Sequence, residues 1–326
     1  MAEQNPSILP INPYEVLGIV HNPDDTLTRQ IQIPCTTTST DDISCAKITK
    51  DIPLNACNKT WLRLFRPIEQ PVNVKLPIIL YFRGGGFILC SASNTIFHNF
   101  CASMANKFPA LIVSVDYRLA PESRLPSAYE DAIEAITWVK KQALDTNGEQ
   151  WFKDLADFSK CYLMGCSSGG NIVYHVGLRA ISLDLKPLLI KGLILNQPFF
   201  GGLRRTESEM RMVNDKTLPL VVSDLMWELA LPAGSDRDHE YCNPRVDGGF
   251  KENIKLLSRC FVSVRGGDPL MDHQKEFVKM VEEEGVKVVN WFDEAGYHGM
   301  ELFEPQKAEA MFVALKAFIY SSSDIE

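Results

Sequence analysis

From about Lys75 onward, apolar runs of strand length alternate with segments whose apolar residues recur every three or four positions. The strand-like runs are Leu76–Phe82 (LPIILYF), Ala110–Tyr117 (ALIVSVDY), Cys161–Gly165 (CYLMG), Lys191–Phe199 (KGLILNQPF), Phe261–Gly266 (FVSVRG) and Val286–Phe292 (VKVVNWF). Continuous apolar runs of this length suit strands covered on both faces. Between them the pattern predicts helices over Asn94–Lys107, Ala128–Ala143, Asn171–Ser182, His273–Glu284 and Lys307–Tyr320. In the second of these, Ile133, Ile136, Val139 and Ala143 fall on one face. Strands and helices in regular succession predict an α/β fold, a mostly parallel central sheet flanked by helices.

Two stretches break this rhythm. Before Lys75, Pro, Asn and Thr are frequent and the strands look short; Asn22-Pro23-Asp24-Asp25 is a turn signal between extended segments. Trp61–Phe65 (WLRLF) alternates like an edge strand. From Gly201 to Phe250 runs a long insertion with helical pieces around Val221–Leu231. The expectation is one domain over residues 1–326, with a cap contributed by about residues 1–30 and 201–250. Met226, Trp227, Leu229, Leu231, Phe199 and Phe200 suit either an apolar pocket or the core of that cap.

Composition narrows the function. The 326 residues carry 33 basic and 41 acidic side chains, a net charge of −8, with no basic stripe to gather phosphates, so nucleic acid is excluded as a partner. No run approaches the roughly 18 apolar residues of a membrane span. The opening MAEQNPSILP lacks the unbroken apolar stretch of a secretory signal. Nine scattered cysteines form no C-x-x-C pair, which suggests reduced thiols and a cytoplasmic location. Oligomeric state leaves no signature.

Gly165-Cys166-Ser167-Ser168-Gly169 fits G-x-S-x-G. Its placement gives it meaning, because it joins a buried strand to a helix, where the motif forms a sharp elbow that lifts the serine hydroxyl clear of the sheet. A serine nucleophile needs a base, and in a hydrolase of this design the chain order is serine, acid, histidine. Of six histidines, His298 follows the last strand, in Ala295-Gly296-Tyr297-His298-Gly299. The acid belongs at the end of the preceding strand, where Gly266-Gly267-Asp268-Pro269 offers Asp268 and Asp272 stands four residues on as the alternative. Asp272 reads better as a helix-start residue. Arg83-Gly84-Gly85-Gly86 follows the first apolar strand, and its backbone N–H groups, with that of Ser168, suit an oxyanion hole.

With these residues in view, the chain resembles the plant carboxylesterase family, in the hormone-sensitive-lipase branch of the α/β-hydrolases. The resemblance rests on RGGGF, DYRLAPESRLPSAYED (Asp116–Asp131), GCSSGGN (Gly165–Asn171), GGDPLMD and GYH, and it spans nearly the whole chain. It implies an α/β-hydrolase fold and a serine-dependent carboxylic-ester hydrolase acting on a small plant specialised metabolite. By resemblance the catalytic residues are Ser167, Asp268 and His298, the oxyanion donors are Gly84, Gly85 and Ser168, and no cofactor or metal is expected. Relatives include alkaloid-forming enzymes in which methyl-ester cleavage leads to loss of CO2, non-hydrolytic cyclases and lyases, and the gibberellin receptor, which binds its ligand after losing the triad histidine. Two positions depart from the family pattern: Arg83 replaces its usual histidine, and Cys166 its usual acidic residue. Arg83 pointing into the pocket would select a substrate carboxylate or enolate; pointing away, it would prop the loop.

Overall fold

In the computed structural model, which describes residues 11–38, 48–70 and 73–321, the predicted alternation folds into an eight-stranded sheet. In chain order the elements are α1 (Pro13–Leu17), β1 (Ile19–His21), β2 (Leu27–Arg29), β3 (Thr49–Asn55), β4 (Thr60–Phe65), β5 (Leu76–Phe82), α2 (Thr95–Lys107), β6 (Leu111–Asp116), α3 (Ser127–Leu144), α4 (Gln150–Leu155) and β7 (Ala156–Cys166). Then follow α5 (Ser168–Ala180), β8 (Ile190–Asn196), α6 (Glu207–Arg211), α7 (Leu220–Ala230), β9 (Cys260–Gly267), α8 (Met271–Glu283), β10 (Val288–Tyr297), α9 (Met300–Phe303) and α10 (Ala308–Tyr320). The sheet order is β10-β9-β8-β7-β5-β6-β4-β3, parallel from β10 to β6 and antiparallel beyond.

The two-residue side-chain period explains why the strands read as unbroken apolar runs. Along β5, Ile78, Leu80 and Phe82 face a layer built from α3, α5 and α8, while Ile79 and Tyr81 face α2 and α10. Both faces are thus buried, as a parallel sheet requires.

The structure corrects the reading of Trp61–Phe65. This strand, β4, lies one place in from the edge, with Leu62, Leu64 and Phe65 fully buried, and β3 takes the edge itself. The sequence of β3, TKDIPLN, carries Asp, Pro and Asn, residues depleted from strands, so no strand signal stood out there. The turn at Asn22–Asp25 closes the β1–β2 hairpin, with Asn22 N–H donating to Thr26 O at 2.8 Å. α5 begins at Ser168, three residues before its predicted start, because the two glycines that read as loop form its first turn. β10 extends to Tyr297 and so delivers the next residue, His298, directly from the sheet. The insertion supplies α6 and α7, and α1 of the N-terminal arm packs on α7. The first ten residues of that arm lie outside the described residues. Among the described residues, no helix is long and apolar enough to cross a membrane.

Close packing of β7, α5 and β5 sets the elbow. A Cβ on Gly169 would sit 1.9 Å from Phe82 O, and one on Gly165 would sit 2.1 Å from Gly169 O. Both obstacles are backbone, which has no rotamer to escape into. Gly169→Ala is therefore expected to destabilise the fold by about 3 kcal/mol or more. Gly249, whose added Cβ would meet nothing within 4 Å, is the control, and Gly249→Ala should be neutral to mildly stabilising, by about 0.5 kcal/mol. Urea unfolding of the two variants measures the difference; equal stabilities would contradict the packing described.

Candidate active site

Every residue of the site stands just past the C-terminal end of a parallel strand: Arg83–Gly86 after β5, Ser167 after β7, Gln197 after β8, Asp268 after β9 and His298 after β10. Parallel strands point their C-terminal ends the same way, so this edge collects their loops in one crevice.

Ser167 adopts φ 54° and ψ −120°, a conformation a non-glycine residue rarely takes and one that costs on the order of 1–3 kcal/mol. Its backbone is held by Ser167 N–H donating to Asn196 O at 2.9 Å and by Phe199 N–H donating to Ser167 O at 2.9 Å. The twist brings Ser167 Oγ to 2.9 Å from His298 Nε2, and His298 Nδ1 lies 2.8 Å from Asp268 Oδ2. The carboxylate only accepts, so Nδ1 carries the proton and Nε2 is left to accept from the serine hydroxyl. The three expected residues, far apart in sequence, thus form one hydrogen-bonded line.

Asp268 is fully buried. Its Oδ2 also accepts from Gln197 Nε2 and Gln274 Nε2, each at 2.9 Å, and its Oδ1 accepts from Leu270 N–H at 2.9 Å. Asp272, the alternative acid, faces elsewhere: its Oδ2 accepts from Ser208 N–H at 2.7 Å and ties the insertion to the start of α8.

Burial alone would lower the pKa of His298. The Asp268 carboxylate, by charge and hydrogen bond, with Glu301 and Asp215 beyond it, outweighs that cost and raises it above the ordinary imidazole value. Neither Glu301 nor Asp215 stood out in the sequence.

The glycine loop lies over the serine. A Cβ on Gly84 would be 3.3 Å from Ser167 Cβ and 3.3 Å from Cys166 Sγ. Gly85 and Gly86 have φ of +119° and +60°, a region that favours glycine, and α7 presses Met226 onto Gly86. The Gly84 N–H lies within reach of the Cys166 sulfur, whereas among the described residues the amides of Gly85 and Ser168 donate to no protein acceptor. Both amides flank Ser167, that of Ser168 at the N-terminus of α5, where the helix dipole favours negative charge. Burial pushes the Cys166 thiol well up, so it stays protonated beneath the loop.

Arg83 is buried under the same loop. Its Nη2 donates to Tyr117 O at 3.2 Å and pairs with Asp116 at 3.5 Å, its guanidinium stacks 3.9 Å from the Tyr117 ring centre, and Tyr117 Oη donates back to Arg83 O at 2.9 Å. Phe199, Phe200, Met226, Trp227, Leu229 and Leu231 are all core; Phe199 and Trp227 stack with centroids 4.5 Å apart. A cavity of about 1160 Å³ is walled by Met210–Thr217 of the insertion, by Phe303 and by Tyr297, the residue before His298. Among the described residues, no cluster of His, Cys, Asp or Glu is placed to hold a metal ion.

An elbow serine, a histidine and a buried acid in line, beneath a glycine loop with free amides, define the class of serine α/β-hydrolases. Residues 79–302 match the family described as alpha/beta hydrolase fold. Over 318 residues the chain is 54% identical to a 3-O-acetylpapaveroxine carboxylesterase of Papaver somniferum, covering 94% of this chain and 99% of that one. Probable carboxylesterase 8 of Arabidopsis thaliana is 47% identical over 318 residues, covering 96% of this chain and 94% of its own length. The solved structure of a hyperthermophilic esterase from the archaeon Pyrobaculum calidifontis aligns with a TM-score of 0.70 at 26% identity, covering 84% of this chain and 83% of that one. The chain belongs to the plant carboxylesterase family of the α/β-hydrolases, and it is a carboxylesterase.

The raised pKa of His298 sets a pH dependence. Its folded pKa lies above the unfolded value, so the charged ring stabilises the fold at low pH, a contribution lost as pH rises through the folded pKa. A base has to be neutral, so with His298 in that role ester hydrolysis would run the opposite way and fall as pH drops below that value. Asp215→Asn removes one of the charges that hold the proton, so the acid limb of the kcat/KM profile should move to lower pH. A limb that stays in place or moves upward contradicts this electrostatic reading.

Proposed function

We propose that Ser167 attacks the carbonyl of a small acyl ester whose alcohol part is bulky, an acylated plant specialised metabolite of alkaloid type. His298 Nε2 takes the serine proton as the Oγ–carbon bond forms. The amides of Gly85 and Ser168, with Gly84, receive the oxyanion; one such donor contributes about 10²–10³ in rate. His298 then passes its proton to the departing alcohol oxygen, leaving an acyl-enzyme, and activates the water that releases the acid. Asp268 holds the ring in the tautomer this sequence needs and stabilises the imidazolium.

The observation that carries the substrate reading is where the free volume lies. His298 protonates the leaving alkoxide, so the alcohol part sits on its side of the serine, and two residues of the cavity wall lead there: Tyr297 precedes His298, and Asp215 helps to raise its pKa. On the glycine-loop side, Met226, Phe87, Phe199 and Trp227 fill the space, favouring a short acyl group. The similar poppy enzyme is named for an acetyl ester, which agrees with this division. A bulky acid esterified with methanol, the substrate form that leads to decarboxylation, would place its bulk on the filled side. A receptor role in the manner of the gibberellin receptor is not favoured, because His298 is present and bonded on both ring nitrogens.

The N-terminal arm and residues 201–250 are proposed as the cap, with Arg29 joining arm to site by donating to Ile88 O at 2.7 Å and pairing with Glu122 at 2.9 Å. Arg83, engaged with Tyr117 and Asp116, is read as a brace for the glycine loop. Unpaired thiols at all eight described cysteines support a reducing, cytosolic location.

Ser167→Ala should lower turnover of an acetyl ester by roughly 10⁴-fold or more, since triad members act as a unit. Retention of most of the wild-type rate would rule out the assignment. Asp268→Asn should cost roughly 10⁴-fold in kcat through the wrong tautomer, while Asp272→Asn stays within a few-fold; reversed effects would transfer the role to Asp272. Acetates of polycyclic alcohols should be turned over faster than methyl esters of polycyclic acids. The opposite preference would contradict the proposed orientation.

A further inference from the structure

Gln197 belongs to no motif, yet its side chain bonds to Asp268 and to the peptides on either side of His298. It is the first residue past β8, it is 1% exposed, and its φ is +45°, uncommon for a residue with a Cβ. Its own N–H donates to Ser263 O at 3.1 Å, which pins the backbone to β9 in this conformation. From there Nε2 donates to Asp268 Oδ2 at 2.9 Å and to Tyr297 O at 3.2 Å, while Oε1 accepts from Gly299 N–H at 2.9 Å. The partners fix which end of the amide is which. A carboxylate and a carbonyl only accept, and a backbone N–H only donates, so the reversed amide would break all three bonds. Tyr297 and Gly299 are the neighbours of His298 on either side. One amide therefore grips the peptide before the base, the peptide after it, and the acid that orients it.

We infer that Gln197 is a positioning residue that couples Asp268 to the loop carrying His298, so that acid and base hold one fixed separation through the reaction. The inference rests on the triad reading above. Gln274 provides the internal comparison, because its Nε2 donates to the same Asp268 oxygen at 2.9 Å and is not bonded to the His298 loop. If Gln197 only neutralised the carboxylate, the two glutamines would be equivalent. If it couples the two, they are not.

The test compares Gln197→Leu, Gln274→Leu and Gln197→Glu on an acetyl ester, with Ser167→Ala alongside. Gln197→Leu is expected to lower kcat at least tenfold with KM within about threefold, while still unfolding cooperatively, and Gln274→Leu to lower it less. Gln197→Glu keeps the shape but places a second carboxyl against Asp268. While the two share a proton the pair carries the same single charge as Asp268 alone; once the second carboxyl ionises, its added negative charge holds the imidazolium proton more tightly. Its kcat/KM profile should therefore have an acid limb at higher pH than the wild type. A residue 197 turned away from Asp268 would leave that limb in place. Should Gln197→Leu fail to fold, Gln197→Glu is read against Gln274→Glu, which puts the same charge beside the same oxygen, and the coupling requires the larger loss of kcat in Gln197→Glu, with equal losses overturning it. Equal losses in the two leucine variants, or a wild-type kcat in Gln197→Leu with an unmoved limb in Gln197→Glu, would overturn the coupling. If Ser167→Ala itself retained activity, the triad reading would fall instead, so the two failures are distinguishable.

Discussion

A charged carboxylate sealed from water persists only where donors surround it, and the site is organised around that demand at Asp268. Burial of an unpaired carboxylate would cost several kcal/mol. Here Leu270 N–H, Gln197, Gln274 and His298 Nδ1 supply four hydrogen bonds, drawn from three separate segments of the chain. Satisfying the acid thus fixes the C-terminal ends of β8, β9 and β10 relative to one another. It also fixes the histidine tautomer, which leaves Nε2 facing the serine on β7. Structural need and chemical readiness coincide in one set of bonds.

The elbow is the matching constraint on the other side of the serine. Gly169 rests against the carbonyl of Phe82, and Gly84 lies over Ser167, so the start of α5 seats on the end of β5 more closely than a side chain at Gly169 would permit. That contact places the glycine-loop amides beside the nucleophile and holds Ser167 in its unfavourable backbone conformation. Arg83 completes the arrangement from below, its charge met by Asp116 and the Tyr117 ring rather than by a histidine's neutral hydrogen bonds. The insertion acts over both: Met226 closes the loop side, and residues 210–217 wall the cavity beside Tyr297.

Much of this was legible in the sequence. Strands buried on both faces announce themselves as apolar runs, and the chemistry of this fold sits just past their ends, which is why Ser167 and His298 stood out. Asp268 and Asp272 were harder to separate, since both occupy the approach to α8. Only the direction of each side chain, one toward His298 and one toward the Ser208 amide, distinguishes them. β3 hid because an edge strand needs no apolar run. Gln197 hid because glutamine carries no motif, although its position one residue past β8 is the same position that marks Ser167 one strand over. Asp215 acts on His298 across space from the insertion, whose path no local pattern encodes, while Glu301, three residues past His298 in α9, belongs to no motif.

The central claim is that Ser167 carries the acyl group between alcohol and water. The most direct measurement is intact-protein mass spectrometry after rapid acid quench during turnover of p-nitrophenyl acetate, followed by peptide mapping. A single added acetyl group on the peptide containing Ser167, absent in Ser167→Ala and accumulating in Asp268→Asn if deacylation is slowed more than acylation, is the predicted result. Full turnover with acetyl found on another residue, or with the Ser167→Ala variant equally acylated and active, would contradict it.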